Sequence, residues 1–148
     1  MTDFIVDEMV IRECDSMTDP DGDETFRSLA FLSSFIQSNH RLGVNEKIEK
    51  KYRDFQKQVR SSNRYTNPHV SRIISRILRS DRIVKVDGTP RNYQSIRAKK
   101  CDIQFVGVSL QLRGVFVTND QPLKNNIISQ GLDSEISLTN IEDANSRL

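Results

Sequence analysis

Two aspartates frame the stretch CDIQFVGVSLQLRGVFVTNDQPL at residues 101–123: Asp102 comes directly before one apolar run, Asp120 directly after another. A third, Asp7, closes the apolar run FIV at residues 4–6. Carboxylates crowded together repel, which costs stability unless protons or a cation offset the charge. An oxygen-rich set without cysteine or histidine suits Mg²⁺ or Mn²⁺ better than zinc. Such ions activate water and stabilise the charge that develops on a phosphate, in the two-metal version from positions about 4 Å apart. The chemistry would be phosphodiester hydrolysis. Each aspartate also has a plainer reading. Asp102 and Asp120 fit helix N-caps, a role that contributes about 1 kcal/mol, and Asp7 fits the end of a strand.

The elements around them favour convergence. FIV reads as a buried strand reaching its carboxyl edge at Asp7. After the turn-rich acidic DPDGDE at 19–24, residues 24–37 predict a largely buried helix, with Phe26, Leu29, Ala30, Ser33 and Ile36 at helical spacing and Phe31, Leu32 and Phe35 broadening the face. RLGV at 41–44 is short and ambiguous, and Asn45 beside it is a good N-cap. Ile48, Tyr52, Phe55 and Val59 then form an amphipathic stripe. The polar 61–69 reads as a loop, and Val70, Ile73, Ile74, Ile77 and Leu78 define a further helix with Arg72, Arg76 and Arg79 on its opposite side. RIVKV at 82–86 alternates like a strand, and 91–100 is a basic connector. Residues 103–112 predict a helix buried on most sides and ended by Arg113-Gly114, with VFVT at 115–118 as the next strand. Gln121-Pro122 opens a short helix, and ISLT at 136–139 fits a last strand.

Strands alternating with helices imply a three-layer α/β/α fold with a central, mainly parallel sheet. In such a sheet, functional groups gather beyond the carboxyl ends of the strands. Asp7 and Asp120 should both lie there. A helix that leads into a parallel strand begins at the same edge, which brings in Asp102.

The chain has 148 residues, about one domain's worth, and the whole of 1–148 reads as a single domain. Hydrophobic residues are 36% and charged residues 28%, enough for a core under a heavily charged surface. The formal charge of +2 hides a segregation: residues 1–46 carry −7, 47–100 carry +12 and 101–148 carry −3. A basic middle between acidic ends suits a polyanion held near carboxylates, although basic helix faces can also be merely solvated. Neither a membrane span nor a signal peptide is evident, so the chain reads as cytoplasmic. Cys14 and Cys101 form no CxxC pair, and neither glycine-rich phosphate loop pattern occurs.

With these residues in view, the sequence resembles the PIN-like domain family of metal-dependent nucleases. FIVDEMVI at 4–11 resembles the family's opening strand, and 101–123 its closing module: Asp, small-residue helix, Gly, apolar strand, Thr-Asn-Asp. The resemblance implies that Asp7, Asp102 and Asp120 hold metal and that Thr118 and Asn119 are their polar neighbours, on the substrate side. Two positions depart from the pattern. Met9 stands where the family has Asn, and Lys51 where it has a Glu. With Ile48 at 0° and about 100° per residue, Glu49 borders the buried stripe while Glu46 points away, which makes Glu49 the candidate fourth acid.

The resemblance therefore implies a Mg²⁺- or Mn²⁺-dependent endoribonuclease, with Asp7, Glu49, Asp102 and Asp120 catalytic. Lys50, Arg53, Lys57, Arg72 and Arg76, with Arg79, would hold the RNA backbone. It further implies the toxin of a toxin–antitoxin pair, an antitoxin protein as partner, and dimerisation. The alternative is a catalytically degenerate PIN-like fold serving as an RNA- or protein-binding module.

Overall fold

The computed structural model describes residues 1–61, 69–79 and 81–148. Five strands form one parallel sheet: β1 (Asp3–Val6), β2 (Arg41–Val44), β3 (Ile83–Lys85), β4 (Val115–Val117) and β5 (Ser137–Thr139), in the order β3-β2-β1-β4-β5. The chain builds outward from β1 to one side through β2 and β3, then to the other through β4 and β5. Strand order thus reverses at β1, and the β1–β4 junction is the switch point at which doubly wound folds place their ligands.

Consecutive residues of a strand face opposite sides of the sheet. Phe4, Ile5 and Val6 are all buried, as are Val115, Phe116 and Val117, so both faces are covered at the centre. The helices are α1 (Glu8–Ser16), α2 (Arg27–Gln37), α3 (Glu46–Ser61), α4 (Val70–Ile77), α5 (Ile103–Leu112), α6 (Gln121–Ser129) and α7 (Ile141–Ser146). Helix α1 packs on α2 and α3, α2 on α4 and α7, and α5 on β1, β2 and β4. Phe4, Phe31 and Phe35 form an aromatic cluster against this sheet, with ring centroids 5.8–6.4 Å apart. Full burial of each such ring contributes about 1.5–3 kcal/mol.

Helix α3 carries the expected stripe, with Ile48, Tyr52, Phe55 and Val59 buried. Asn45 caps it as predicted: its Oδ1 accepts from the Ile48 amide at 2.8 Å, while Nδ2 donates to Gln104 Oε1 at 2.7 Å and so ties α3 to α5. Helix α5 lies close to the chain on its other side. A Cβ at Gly107 would run into the Gly88 carbonyl oxygen, so only glycine permits this approach.

Several expectations need correction. The sequence pattern marks no element over 8–16, where α1 lies. Its acids mask a helix that buries Val10, Ile11 and Cys14. Glu13 is buried there too, accepting from Arg27 and Ser28, each at 2.9 Å. In α2 the buried face is Ser28, Phe31, Leu32 and Phe35, and Phe26 is 55% exposed ahead of the helix, so the core lies to one side of the predicted stripe. Arg113, not Gly114, takes the left-handed conformation that ends α5, at φ 50°. Gly114 is needed for a different reason: a Cβ there would stand 2.7 Å from the Asp3 carbonyl oxygen. The connector 91–100 contains a single 3-10 turn at Tyr93–Ser95. Most of the expected loop at 61–69 lies outside the described residues.

Candidate active site at the switch point

The parallel register pairs Val6 with Val117, so the residues just beyond them meet at the carboxyl edge. The Asp7 amide donates to the Val117 carbonyl at 3.0 Å, extending the ladder by one rung. Asp7 is 7% exposed, and its Oδ2 accepts from the Thr118 hydroxyl at 2.6 Å. Beneath it, the buried Tyr52 hydroxyl donates to the Val6 carbonyl and anchors the end of β1.

Thr118 Oγ1 also accepts from the Asp120 amide at 3.1 Å, so one hydroxyl links two of the three aspartates. Asp120 caps α6, its Oδ1 accepting from the Leu123 amide at 3.0 Å. Asp102 precedes α5 and makes no side-chain cap. Its Oδ1 lies 3.6 Å from the Cys101 thiol. The cap reading therefore holds for Asp120 and fails for Asp102.

Charge links the three aspartates. Burial pushes the Asp7 carboxyl above the ordinary aspartate value; the Thr118 hydroxyl and the Met9 amide pull it back, and the charges of Asp102 and Asp120 push it up again. Among the described residues none of the three enters an ion pair. The rim thus concentrates negative charge with no side-chain cation bonded to it.

The other candidates are placed less favourably. Glu49 borders the buried face as the helical angle predicts, but its carboxylate is engaged by Arg53 at 3.0 Å and Lys85 at 3.3 Å. Burial would raise its pKa, yet the hydrogen bonds and charges of Arg53 and Lys85 prevail and lower it. It lines a separate shallow depression with Lys50, Arg53, Lys57 and Lys85, apart from the three aspartates. The structure therefore does not bring the expected fourth acid to the rim.

Thr118 is fully buried, which corrects its expected place on the substrate side: it orders carboxylates and touches no solvent. Asn119 likewise turns inward, its Oδ1 accepting from the Ile141 amide at 3.1 Å, while Nδ2 is buried with no partner. Lys50 pairs with Asp54 at 2.7 Å, whereas Arg72 and Arg76 are exposed on α4.

A cleft of about 740 Å³ adjoins the Asp120 side of the rim. Met9, Val10, Phe55, Asn119, Asp120 and Pro122 contribute to its walls. Met9 is 59% exposed there, so the position expected to order Asp7 with an Asn contributes a cleft wall instead, and Thr118 does the ordering. No sequence motif announces this cleft, because nothing in the apolar pattern marks α1.

At the level of sequence, no family model matches this chain, and no curated protein matches it. Among solved structures it is similar to one described as FitAB bound to an IR36 DNA fragment, with a TM-score of 0.50 and 15% sequence identity over 93% of this chain and 94% of that one. FitAB is a PIN-domain toxin–antitoxin complex. The fold is PIN-like. At this identity the likeness rests on the arrangement of elements, and within the PIN-like fold the site described above is read from this chain's own residues.

Proposed function

We propose that the protein is a metal-dependent ribonuclease that hydrolyses RNA phosphodiester bonds as the toxin of a toxin–antitoxin pair. The observation that supports this reading is that the charges of Asp102 and Asp120 reach the buried Asp7 at the switch point of a PIN-like sheet, with none of the three in an ion pair among the described residues. The likeness to FitAB supports an antitoxin as protein partner.

The donor set fits a hard divalent cation, since it offers carboxylate oxygens alone and its negative charges strain one another. Among the described residues, no three His, Cys, Asp or Glu side chains are drawn together tightly enough to cage an ion directly. Mg²⁺ or Mn²⁺ keeps several waters and takes only one or two carboxylates directly, so an ion here would have to be held largely through water. Asp7, Asp102 and Asp120 would hold it, partly through water. When bound, it would supply activated water and offset charge on the phosphate. The chain's own parts then divide as follows. Thr118 fixes the orientation of Asp7 and the start of the Asp120 turn, the α6 cap steadies Asp120, and exposed bases such as Arg72, Arg76 and Lys57 hold the RNA backbone.

The test is cleavage of labelled RNA with Mn²⁺ or Mg²⁺ by the native protein, Asp102→Asn and Asp120→Asn. Each substitution should lower the rate at least about 100-fold, the scale of losing an electrostatic contact to the reacting centre. Cleavage that survives both would sink the assignment. A second reading, a degenerate PIN-like module that binds RNA or protein without cleaving it, is favoured by the engagement of Glu49 and by Lys51 at the expected acid position. Tight RNA binding without cleavage under any divalent metal would select it.

A further inference from the structure

The basic connector 91–100 carries Arg91, Arg97, Lys99 and Lys100 and no acid. All four bases are exposed, and none enters an ion pair among the described residues. The backbone beneath them is clasped. From α6, Asn126 Nδ2 and Gln130 Nε2 donate to the Arg97 carbonyl at 2.8 and 2.6 Å, and Gln130 Oε1 accepts from the Arg97 amide at 2.7 Å. Two residues on, the Lys99 carbonyl accepts from the Asp102 and Ile103 amides at 2.9 and 3.0 Å, so the connector runs directly into the start of α5. Within it, Tyr93 is half-buried beside Gly107, and Ile96 packs against the core. The connector is thus joined to both helices that begin at the rim, α6 with its Asp120 cap and α5 after Asp102.

A fixed backbone under unpaired positive charge is a surface for a polyanion. The buried centre of a protein–protein contact is depleted of charge and enriched in aromatic residues and Met. The connector exposes no large apolar side chain that could form such a centre. Phosphates need none, because bases that neutralise them release condensed counterions, and a backbone already held in place loses less freedom on binding. We propose that residues 97–100 bind the phosphate backbone of single-stranded RNA beside Asp102, through Arg97, Lys99 and Lys100. This adds a second contact surface to the exposed bases of α3 and α4. The choice of RNA as the polyanion rests on the ribonuclease reading above, but no metal and no turnover enter the inference, so binding alone tests it.

The experiment is fluorescence anisotropy of labelled oligouridine across a salt series in EDTA, with labelled poly-L-glutamate as a second probe and thermal melts to check folding. The native protein is compared with a triple variant (Arg97→Gln, Lys99→Gln, Lys100→Gln), with Gln130→Ala and with Arg147→Ala. Arg147 bonds Ser137 at the start of β5, on the amino edge of the sheet, and serves as the control. Losing three phosphate contacts should lower the slope of log affinity against log salt by about 2 in the triple variant. Gln130→Ala keeps every charge but frees the connector, and should weaken RNA binding about threefold to tenfold. Arg147→Ala should match the native protein. A slope unchanged in the triple variant would overturn the proposal and leave the ribonuclease reading to its own cleavage test. Undiminished affinity in Gln130→Ala, or a comparable loss per charge in Arg147→Ala, would overturn it too. A triple variant that binds RNA normally but poly-L-glutamate weakly would give this surface to an acidic protein instead. No RNA binding by the native protein would overturn both readings.

Discussion

Asp7 shows how burial can outweigh the hydroxyl that steadies a carboxylate. Burial raises the Asp7 carboxyl above its ordinary 3.8, and the neighbouring Asp102 and Asp120 add to that. A carboxyl whose pKa is higher in the folded chain than in the unfolded one favours folding fully only below the unfolded value. That contribution is lost as pH rises through the folded pKa. Ionised Asp7 is therefore a stability cost carried at neutral pH. In metal-free buffer, Asp7→Asn should be more stable than the native protein at pH 7, and the advantage should close near about pH 3, where both side chains are neutral. Urea unfolding at the two pH values measures this, and a less stable Asp7→Asn at pH 7 would show that the carboxylate is held by something other than Thr118. If the rim holds a catalytic cation as proposed, activity should fall as pH drops through the raised Asp7 pKa, because the protonated form offers no charge to a cation.

At the scale of elements, what positions the site is the way α3 and α5 lean on one another. Asn45 closes the first turn of α3 and reaches Gln104 in the first turn of α5, close in the chain to Asp102. Asn45→Ala removes the cap and leaves the Gln104 carbonyl without its donor. The cost should be about 2 kcal/mol, from about 1 for the cap and about 1 for the hydrogen bond. Asn45→Asp keeps the cap and should cost less in urea unfolding; an equal loss would place the weight on Gln104 alone. The helices and their apolar stripes are legible in the sequence wherever one face is clearly polar, as in α3. They are not legible in α1, where Glu13 is buried against Arg27 and Ser28 and so breaks the pattern from within. In α2 apolar residues surround most of the helix, and periodicity alone does not choose the buried side.

Across the whole molecule, charge is sorted along the chain: the central basic third follows the acidic first third and precedes the acidic end. Folding sets Arg72 and Arg76 on the exposed side of α4, while Arg27 and Arg41 are spent on Glu13, Glu142 and Asp3. If the exposed bases hold an RNA backbone, affinity for single-stranded RNA should fall with salt. Every phosphate no longer neutralised should reduce the slope of log affinity against log salt by about 0.7. Arg72→Ala with Arg76→Ala should therefore lower the slope by about 1.4, read by fluorescence anisotropy across a salt series. An unchanged slope would remove α4 from the RNA path.

The sequence by itself determined most of the alternation of strands and helices and the parallel sheet, and it nominated the three aspartates, because period, capping residues and strand ends are local signals. Only the tertiary structure decided which polar groups meet. It paired Thr118 with Asp7, tied Glu49 to Arg53 and Lys85, and set Lys51 beside the residue preceding Asp102. The physical reason is that side chains settle against partners from distant segments. A helical angle says which way Glu49 leaves its helix, but not that Lys85 from β3 is waiting there.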